Sequence, residues 1–432
     1  MRNKIEDSII LTDFFLKFSL IISDYQRPYV WSFKQFIKLY KDLIKYQVQS
    51  EDLTPLYYLG NIILVKNNEN GYDIIDGQQR ITSLLILANL LQQDEIFGCN
   101  KEFVIRSSIS KDNIKANASY LRHYLSEEGI KRIDFEKINI TYIIAENQDQ
   151  AFKFYTTLNT SGKSLNGIDI IKPFHLQSLK KTKQEEKARL FEKYQFSDNV
   201  LGKVIKLCFR IRCWTDLSFR DFPRNHEKIW KEILPEEFAN IEMQSGHDYK
   251  YSTIIEVEGN LKTSLPTYHI LQPLHKGENT IHYFIYWSEI WIKIETRLKS
   301  EIFDKLDKLD GVEFNTEYFE MALLCYASKY GEKAVEDDNF IEISNYLFKV
   351  CFYTRLTKPC SKISIKKNEQ QNQLLKRILY AFDKDEIKDY CIDFFNETIS
   401  KDTAEITTGR IQAFKNSFGF KNENYKQPFF NL

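Results

Sequence analysis

The stretch Tyr72-Asp-Ile-Ile-Asp-Gly-Gln-Gln-Arg-Ile-Thr-Ser-Leu84 constrains this chain most, because it must pass from extended to helical backbone within two residues. Tyr72 to Ile75 reads as a short buried strand and Asp76-Gly77 as a turn, after which Ile81, Leu84, Leu85, Ala88 and Leu91 recur at helical spacing. A strand running into a helix leaves the first helical N–H groups without intrahelical partners, which favours an anion there. Arg80 falls in the first helical turn, where the helix dipole disfavours a cation by up to about 1 kcal/mol. Two readings follow. Either a bound anion offsets that penalty, or Asp76 caps the helix with Gln79 completing a capping-box-like pair while Arg80 meets a carboxylate.

A second stretch has similar content. Asp24-Tyr-Gln-Arg-Pro-Tyr-Val-Trp31 surrounds Pro28 with Gln26, Arg27 and the rings of Tyr25, Tyr29 and Trp31. Proline keeps Arg27 out of a helix, and an arginine flanked by flat rings suits an anion carrying a base or sugar. A structural aromatic cluster explains the same residues. Upstream, Ile9 to Phe15 and then Leu20 to Ile22 predict a short helix followed by a strand. Downstream, Ser32 with Gln35 starts a helix whose buried stripe is Phe33, Phe36, Ile37, Tyr40, Leu43 and Ile44. Tyr57 to Val65 is a strand that returns through a turn to Tyr72 as a hairpin, with Gly60 marking a bulge or a close approach.

Further on, the pattern predicts a helix around 114–125, a strand over 138–144 and a helix over 148–158. A polar loop follows, Asn159-Thr-Ser-Gly-Lys-Ser-Leu-Asn-Gly-Ile-Asp169, before a helix that Asn166 and Asp169 would cap. It is not a Walker loop, since Thr157 stands where the first glycine is needed and a helix rather than a strand precedes it. It supplies N–H groups, hydroxyls and Lys163, or serves as an ordinary connection.

The charge-rich run 180–192 marks a boundary, beyond which apolar residues at i, i+3 and i+4 predict a helical bundle. Its expected helices span 200–214, 225–234, 281–305, 317–329, 340–353, 370–382 and 385–399. His282 to Trp287 reads as a core aromatic segment. Arg355, Lys358, Lys362, Lys366, Lys367, Lys376 and Arg377 form a basic run relieved mainly by Glu369, which reads as a solvated face or a phosphate contact.

With 60 Lys plus Arg against 60 Asp plus Glu, no global field attracts a polyanion, and a net charge near zero leaves self-association open. Seven scattered cysteines without a Cys-x-x-Cys pair predict reduced thiols, and the seven histidines show no metal spacing. Neither a signal-peptide pattern nor a membrane-length apolar run is visible, which predicts a cytoplasmic protein away from membranes.

Tyr25-Gln-Arg-Pro-Tyr-Val-Trp31, Tyr58-Leu-Gly-Asn61 leading to Ile75-Asp-Gly-Gln-Gln-Arg80, and Phe154 to Leu165 with Asp169-Ile-Ile-Lys172 occur in an order that resembles the GmrSD-type restriction endonuclease N-terminal domain family, a ParB/sulfiredoxin-like group. The resemblance covers roughly the first 180 residues. It implies an α+β fold: a ParB-like nucleotide-binding domain with a small mixed sheet over 1–180, then a mostly α-helical domain over 181–432. It also implies nucleoside triphosphate binding or hydrolysis, with a divalent cation such as Mg, in a bacterial DNA-restriction or anti-phage system that senses modified phage DNA. Carried onto this chain, Asp76, Gln79 and Arg80 would act on the phosphates. Gly60, Asn61, Gly77, Gln78 and Thr82 would line the nucleotide site. Tyr25, Gln26, Arg27, Tyr29 and Trp31 would form its second wall, and Asn159, Lys163, Asp169 and Lys172 would close it. The base and any metal ligands stay unspecified. Family members pair this domain with a His-Me finger nuclease. Asn225-His226, His269 and His275 lack that pattern, so either a partner protein carries the nuclease, or the helical half recognises nucleic acid or protein while the first half switches. The alternative is a non-enzymatic DNA- or protein-binding module on the same scaffold.

Overall fold

The computed structural model describes residues 5–23, 26–49, 57–67, 71–93, 95–96, 105–129, 132–147, 150–151, 154, 167–196, 199–216, 233–239, 254–257, 260–263, 267–357 and 361–399. The chain divides into two compact units, Met1–Arg189 and Leu190–Leu432.

In the first unit the described elements run β1 (Ile5–Ile10), α1 (Leu11–Lys17), β2 (Leu20–Ile21), α2 (Phe33–Gln49), β3 (Tyr57–Lys66), β4 (Tyr72–Asp76), α3 (Gln78–Leu90), α4 (Ser108–Glu128), β5 (Ile138–Ala145) and α5 (Gly167–Leu176). Helix α6 (Lys181–Phe196) carries the chain onward. The five strands form one mixed sheet in the order β1-β5-β3-β4-β2. β5 pairs antiparallel with β1 and parallel with β3, and β4 pairs antiparallel with β3 and parallel with β2. The β3–β4 hairpin is as the alternation of apolar residues predicts, and the α+β class is as the resemblance implies. Ile9 and Ile10 are not the start of a helix but the end of the edge strand β1, so the apolar run there feeds the sheet before α1 begins.

Helix α3 is buried over most of its circumference, since Ile81, Leu84, Leu87 and Ala88 share one core with Phe14, Phe36, Leu64 and Ile140. Each such Phe or Leu contributes about 1.5–3 kcal/mol by leaving water. That enclosure holds the N-terminus of α3 in one place against the end of the sheet. Ser32 and Gln35 form half of the expected box, Gln35 Oε1 accepting from Ser32 N–H at 3.0 Å.

The second unit contains α7 (Val200–Thr215), α8 (Leu234–Phe238), the hairpin β6 (Ile254–Val257) and β7 (Asn260–Thr263), α9 (Glu278–Leu298), α10 (Glu313–Tyr330), α11 (Glu332–Glu336), α12 (Asn339–Thr357), α13 (Lys362–Asn372), α14 (Leu374–Tyr380) and α15 (Lys384–Ile399). Tyr283, Phe284 and Trp287 of α9 are buried, as the aromatic run predicts. The hairpin is an addition to the expected all-helical pattern. The helix expected over 370–382 is instead two helices, broken at Gln373, which adopts a left-handed conformation (φ 51°). The helix expected over 225–234 and most of that over 148–158 lie outside the described residues.

Charges meet here in complementary pairs that are buried or half-buried. Lys203, Lys206 and Arg210 of α7 meet acids of α10, Lys203 with Glu320 at 2.8 Å and Lys206 with Glu317 at 3.1 Å, and Arg210 also pairs with Glu317. Burial lowers the pKa of Lys206 to about 8 and that of Arg210 to about 10. Glu369 of α13 is 1% exposed, and its carboxylate accepts from the Tyr318 hydroxyl at 2.5 Å and from Leu375 N–H at 3.2 Å. Burial pushes its pKa up to about 7. Cys208, Cys325, Cys351 and Cys391 are free, buried thiols, and Cys213 is buried as well.

Candidate functional site

The β4–α3 junction turns at Gly77, whose left-handed backbone (φ 94°) makes it the N-cap of α3. A Cβ there would stand 2.1 Å from Ile62 Cδ1, so both conformation and space call for glycine. The first backbone bond of the helix is Ile81 N–H to Gly77 O at 2.9 Å, which leaves the N–H groups of Gln78, Gln79 and Arg80 ahead of the ladder. No side chain caps this end. The capping box expected of Asp76 and Gln79 is therefore absent: Gly77 takes the cap position, and both side chains are used elsewhere.

Asp76 pairs with Arg80, Oδ2 to Nη2 at 3.1 Å. The same guanidinium donates from Nη1 to Leu59 O at 3.1 Å and from Nη2 to Asn61 O at 2.8 Å. These carbonyls are available because β3 bulges against β5 between Tyr58 and Asn61. Gly60 sits under the guanidinium, and a Cβ there would lie 2.2 Å from Nη1. Asp76, Arg80, Gly60 and Asn61, read as site residues from separate strands and a helix, are thus one cluster. Three of the five guanidinium N–H donors are already in use within it.

Gln79 faces the second motif. Its Oε1 accepts from the backbone N–H of Val30 at 2.9 Å and of Trp31 at 3.2 Å, and its Nε2 donates to Pro28 O at 3.0 Å. Tyr29 is buried beside it. The Tyr29 hydroxyl lies 2.9 Å from Ser83 Oγ and accepts from Asn117 Nδ2 at 3.1 Å, its N–H donates to Ser110 Oγ at 2.8 Å, and its carbonyl accepts from Asn113 Nδ2 at 2.8 Å. Asn117 also donates to Trp31 O at 2.8 Å. Burial raises the Tyr29 pKa, with the bonds from Ser83 and Asn117 acting against it. Gln79, one of the residues expected to act on the phosphates, braces an irregular segment through its amide. Ser83, Ser110, Asn113 and Asn117 escaped the sequence reading. The spacing of the last three along α4, i, i+3 and i+7, is a polar stripe on one helical face that could have revealed them.

The same segment meets α5. Lys172 is 1% exposed and donates from Nζ to Gln26 O at 3.1 Å, while Arg27 Nη1 lies 3.7 Å from Asp169 Oδ2. The segment from Gln26 to Trp31 therefore joins the first-turn residues of α3 to the predicted closing residues of α5. Tyr25, Asn159 and Lys163 lie outside the described residues.

Two side chains at this end of α3 keep unmet polar atoms. Gln78 is 6% exposed and Thr82 2%, and neither Gln78 Oε1 nor Thr82 Oγ1 has a hydrogen-bond partner. Four residues apart, they share one side of the helix. Buried polar atoms are nearly always bonded, and leaving one unmade costs about 1–3 kcal/mol. Among the described residues, no group of three or more His, Cys, Asp or Glu side chains could hold a metal.

An open helix start, a clasped arginine and two unmet polar groups thus lie together on an α+β domain with a small mixed sheet. Residues 11–176 match the family described as GmrSD restriction endonuclease, N-terminal domain. Residues 183–407, more than half of the chain, match the family of unknown function DUF7834, and the chain belongs to that family. No curated protein matches it. Among the described residues no helix is long and apolar enough to cross a membrane.

Proposed function

We propose that the first unit binds a nucleoside triphosphate at the N-terminus of α3 and acts as the sensor or regulatory component of a DNA-restriction or anti-phage system. The match of residues 11–176 to a restriction-endonuclease N-terminal domain supports the system. The observation that carries the site is the pair of buried, unpartnered atoms, Gln78 Oε1 and Thr82 Oγ1, beside three helix-start N–H groups. Phosphate oxygens would take the N–H groups, and ligand hydroxyl or amino groups, or a cation such as Mg, would meet Gln78 and Thr82. Arg27 and Lys172 add positive charge from the segment and α5, and Asp76 with Arg80 flanks the turn. Asn159, Lys163 and the Tyr25 ring complete the proposed set.

The engagement of Gln79 and Arg80 with backbone favours a second reading, binding with little or no hydrolysis, since the groups that would position water and charge are already bonded. Titration with ATP, GTP, CTP and UTP alongside phosphate release separates the two. Binding without release supports the second reading; no binding of any of the four, with or without magnesium, overturns both. Thr82→Val keeps shape and removes the hydroxyl, so it should weaken binding about tenfold while leaving the fold intact.

A further inference from the structure

The basic run of the second unit resolves into a surface. Helices α13 and α14 together contain one acidic residue, Glu369, and it is buried against Tyr318 and the start of α14. Lys367 and Arg377 are exposed, and Lys366 and Lys376 are half-buried. The exposed face of these two helices thus carries cations with no exposed carboxylate among them, in a chain whose charges otherwise balance at 60 each. Gln370 and Gln371 are exposed between the cations, and the break at Gln373 turns the second pair relative to the first. Arg377 is held in place, its Nε donating to Asn372 O at 2.9 Å and its guanidinium lying 4.5 Å from the centre of the Tyr390 ring. Tyr380 and Phe382, the latter 91% exposed, follow at the end of α14 before the acids resume at Asp383. Lys358 lies outside the described residues.

From this we infer that the α13–α14 surface binds the phosphodiester backbone of a nucleic acid. Exposed cations, Lys367 and Arg377, on two helices whose one acid is buried fit a row of phosphates, exposed amides fit base edges, and exposed rings offer stacking faces. Burial of Glu369 removes the one carboxylate that the sequence places among these cations. The inference does not rest on nucleotide binding by the first unit.

Fluorescence polarisation of the full chain, without nucleoside triphosphate, tests it against labelled duplex DNA, the matching single strand and the matching RNA. Binding is expected to weaken steeply as salt rises from about 50 to about 200 mM, and the tightest of the three probes identifies the source of the backbone. Lys367→Glu/Lys376→Glu should weaken binding by about tenfold or more at fixed salt and flatten the slope. A second variant, Lys367→Glu/Gln371→Glu, puts both new charges on α13 and should do the same if the first variant loses its fold. Lys308→Glu/Lys333→Glu, at exposed positions elsewhere in the same unit, should bind as wild type. Wild type that binds none of the probes, charge reversals on α13 that leave affinity unchanged, or an equal loss in the Lys308/Lys333 variant would each overturn the assignment.

Discussion

The Tyr29–Trp31 segment of the first unit and the α7–α10 interface of the second bury polar groups in opposite ways. In the first, uncharged amides and hydroxyls of regular helices, Gln79, Ser110, Asn113 and Asn117, reach across to the backbone of a segment with no regular structure. In the second, charged side chains of one helix meet charged side chains of another, with Lys203, Lys206 and Arg210 on α7 against Glu317 and Glu320 on α10. A neutral amide that satisfies backbone fixes where a loop lies at low desolvation cost. An internal ion pair costs much desolvation and fixes only which helix faces which. The first arrangement suits a site that must be pre-shaped, the second a scaffold.

This contrast can be broken by substitution. The largest loss is expected from Glu317→Ala, which takes from Arg210 the carboxylate it pairs with, leaving only Glu320 nearby, and should lower unfolding free energy by about 3 kcal/mol in urea. A loss below about 1 kcal/mol would mean that the α7–α10 pairs are solvated in solution.

Next comes the pH dependence of Glu369. Its pKa in the fold, about 7, stands above the ordinary 4.5, so the folded protein favours the protonated form. The contribution is fully present below pH 4.5, is lost as pH rises toward 7 and stays absent above it. The pKa difference corresponds to roughly 3 kcal/mol. The facing groups are Tyr318 and the Leu375 N–H, which favour the carboxylate by hydrogen bonding, and Lys376, which does so by charge. Glu369→Gln should flatten this part of a stability profile taken between pH 4.5 and 8, and an unchanged profile would remove Glu369 as its source.

Gln79→Ala should cost about 2–3 kcal/mol, because it orphans two N–H groups and a carbonyl of the Pro28–Trp31 backbone. If stability instead held while phosphate release vanished, Gln79 would be a water-positioning group and the bracing role would fail. The smallest effect has the opposite sign. Thr82→Val removes a buried hydroxyl that lacks a partner, so the ligand-free protein should gain about 1 kcal/mol in thermal unfolding.

What could be read from the sequence was what depends on local periodicity. The β4 strand, the glycine turn and α3 follow from apolar spacing and one left-handed position, and the β3–β4 hairpin from two alternating runs around a turn. The helical second half rests on the same kind of signal, whereas the mixed sheet was expected only from the resemblance. What escaped depends on distant contacts. Asp76 and Gln79 have the chemistry of a capping pair, yet the guanidinium of Arg80 and the backbone of Val30 and Trp31 compete successfully for them. The break at Gln373 has no glycine or proline to announce it, and the residue takes a left-handed conformation between two helices fixed by their buried faces. Ile9 and Ile10 fit a helix or a strand equally, and only pairing with Asn139 and Ile140 decides for the strand. Of the site, the three motifs were legible, and the resemblance put them in one place. That Gln26 meets Lys172 and Pro28 meets Gln79 was not, since nothing in local spacing records an approach between residues 146 or 51 positions apart.

The backbone of the Tyr29–Trp31 stretch belongs to no strand, yet each of its three amides donates to a buried or half-buried side-chain oxygen, of Ser110 for Tyr29 and of Gln79 for Val30 and Trp31. In deuterated solvent these amides should therefore exchange at the slow pace of the sheet rather than the fast pace of a loop. Their protection would drop together in Gln79→Ala for two of the three, leaving Tyr29 slow. Here rigidity is separate from regularity: the chain is ordered by what it touches rather than by what it repeats.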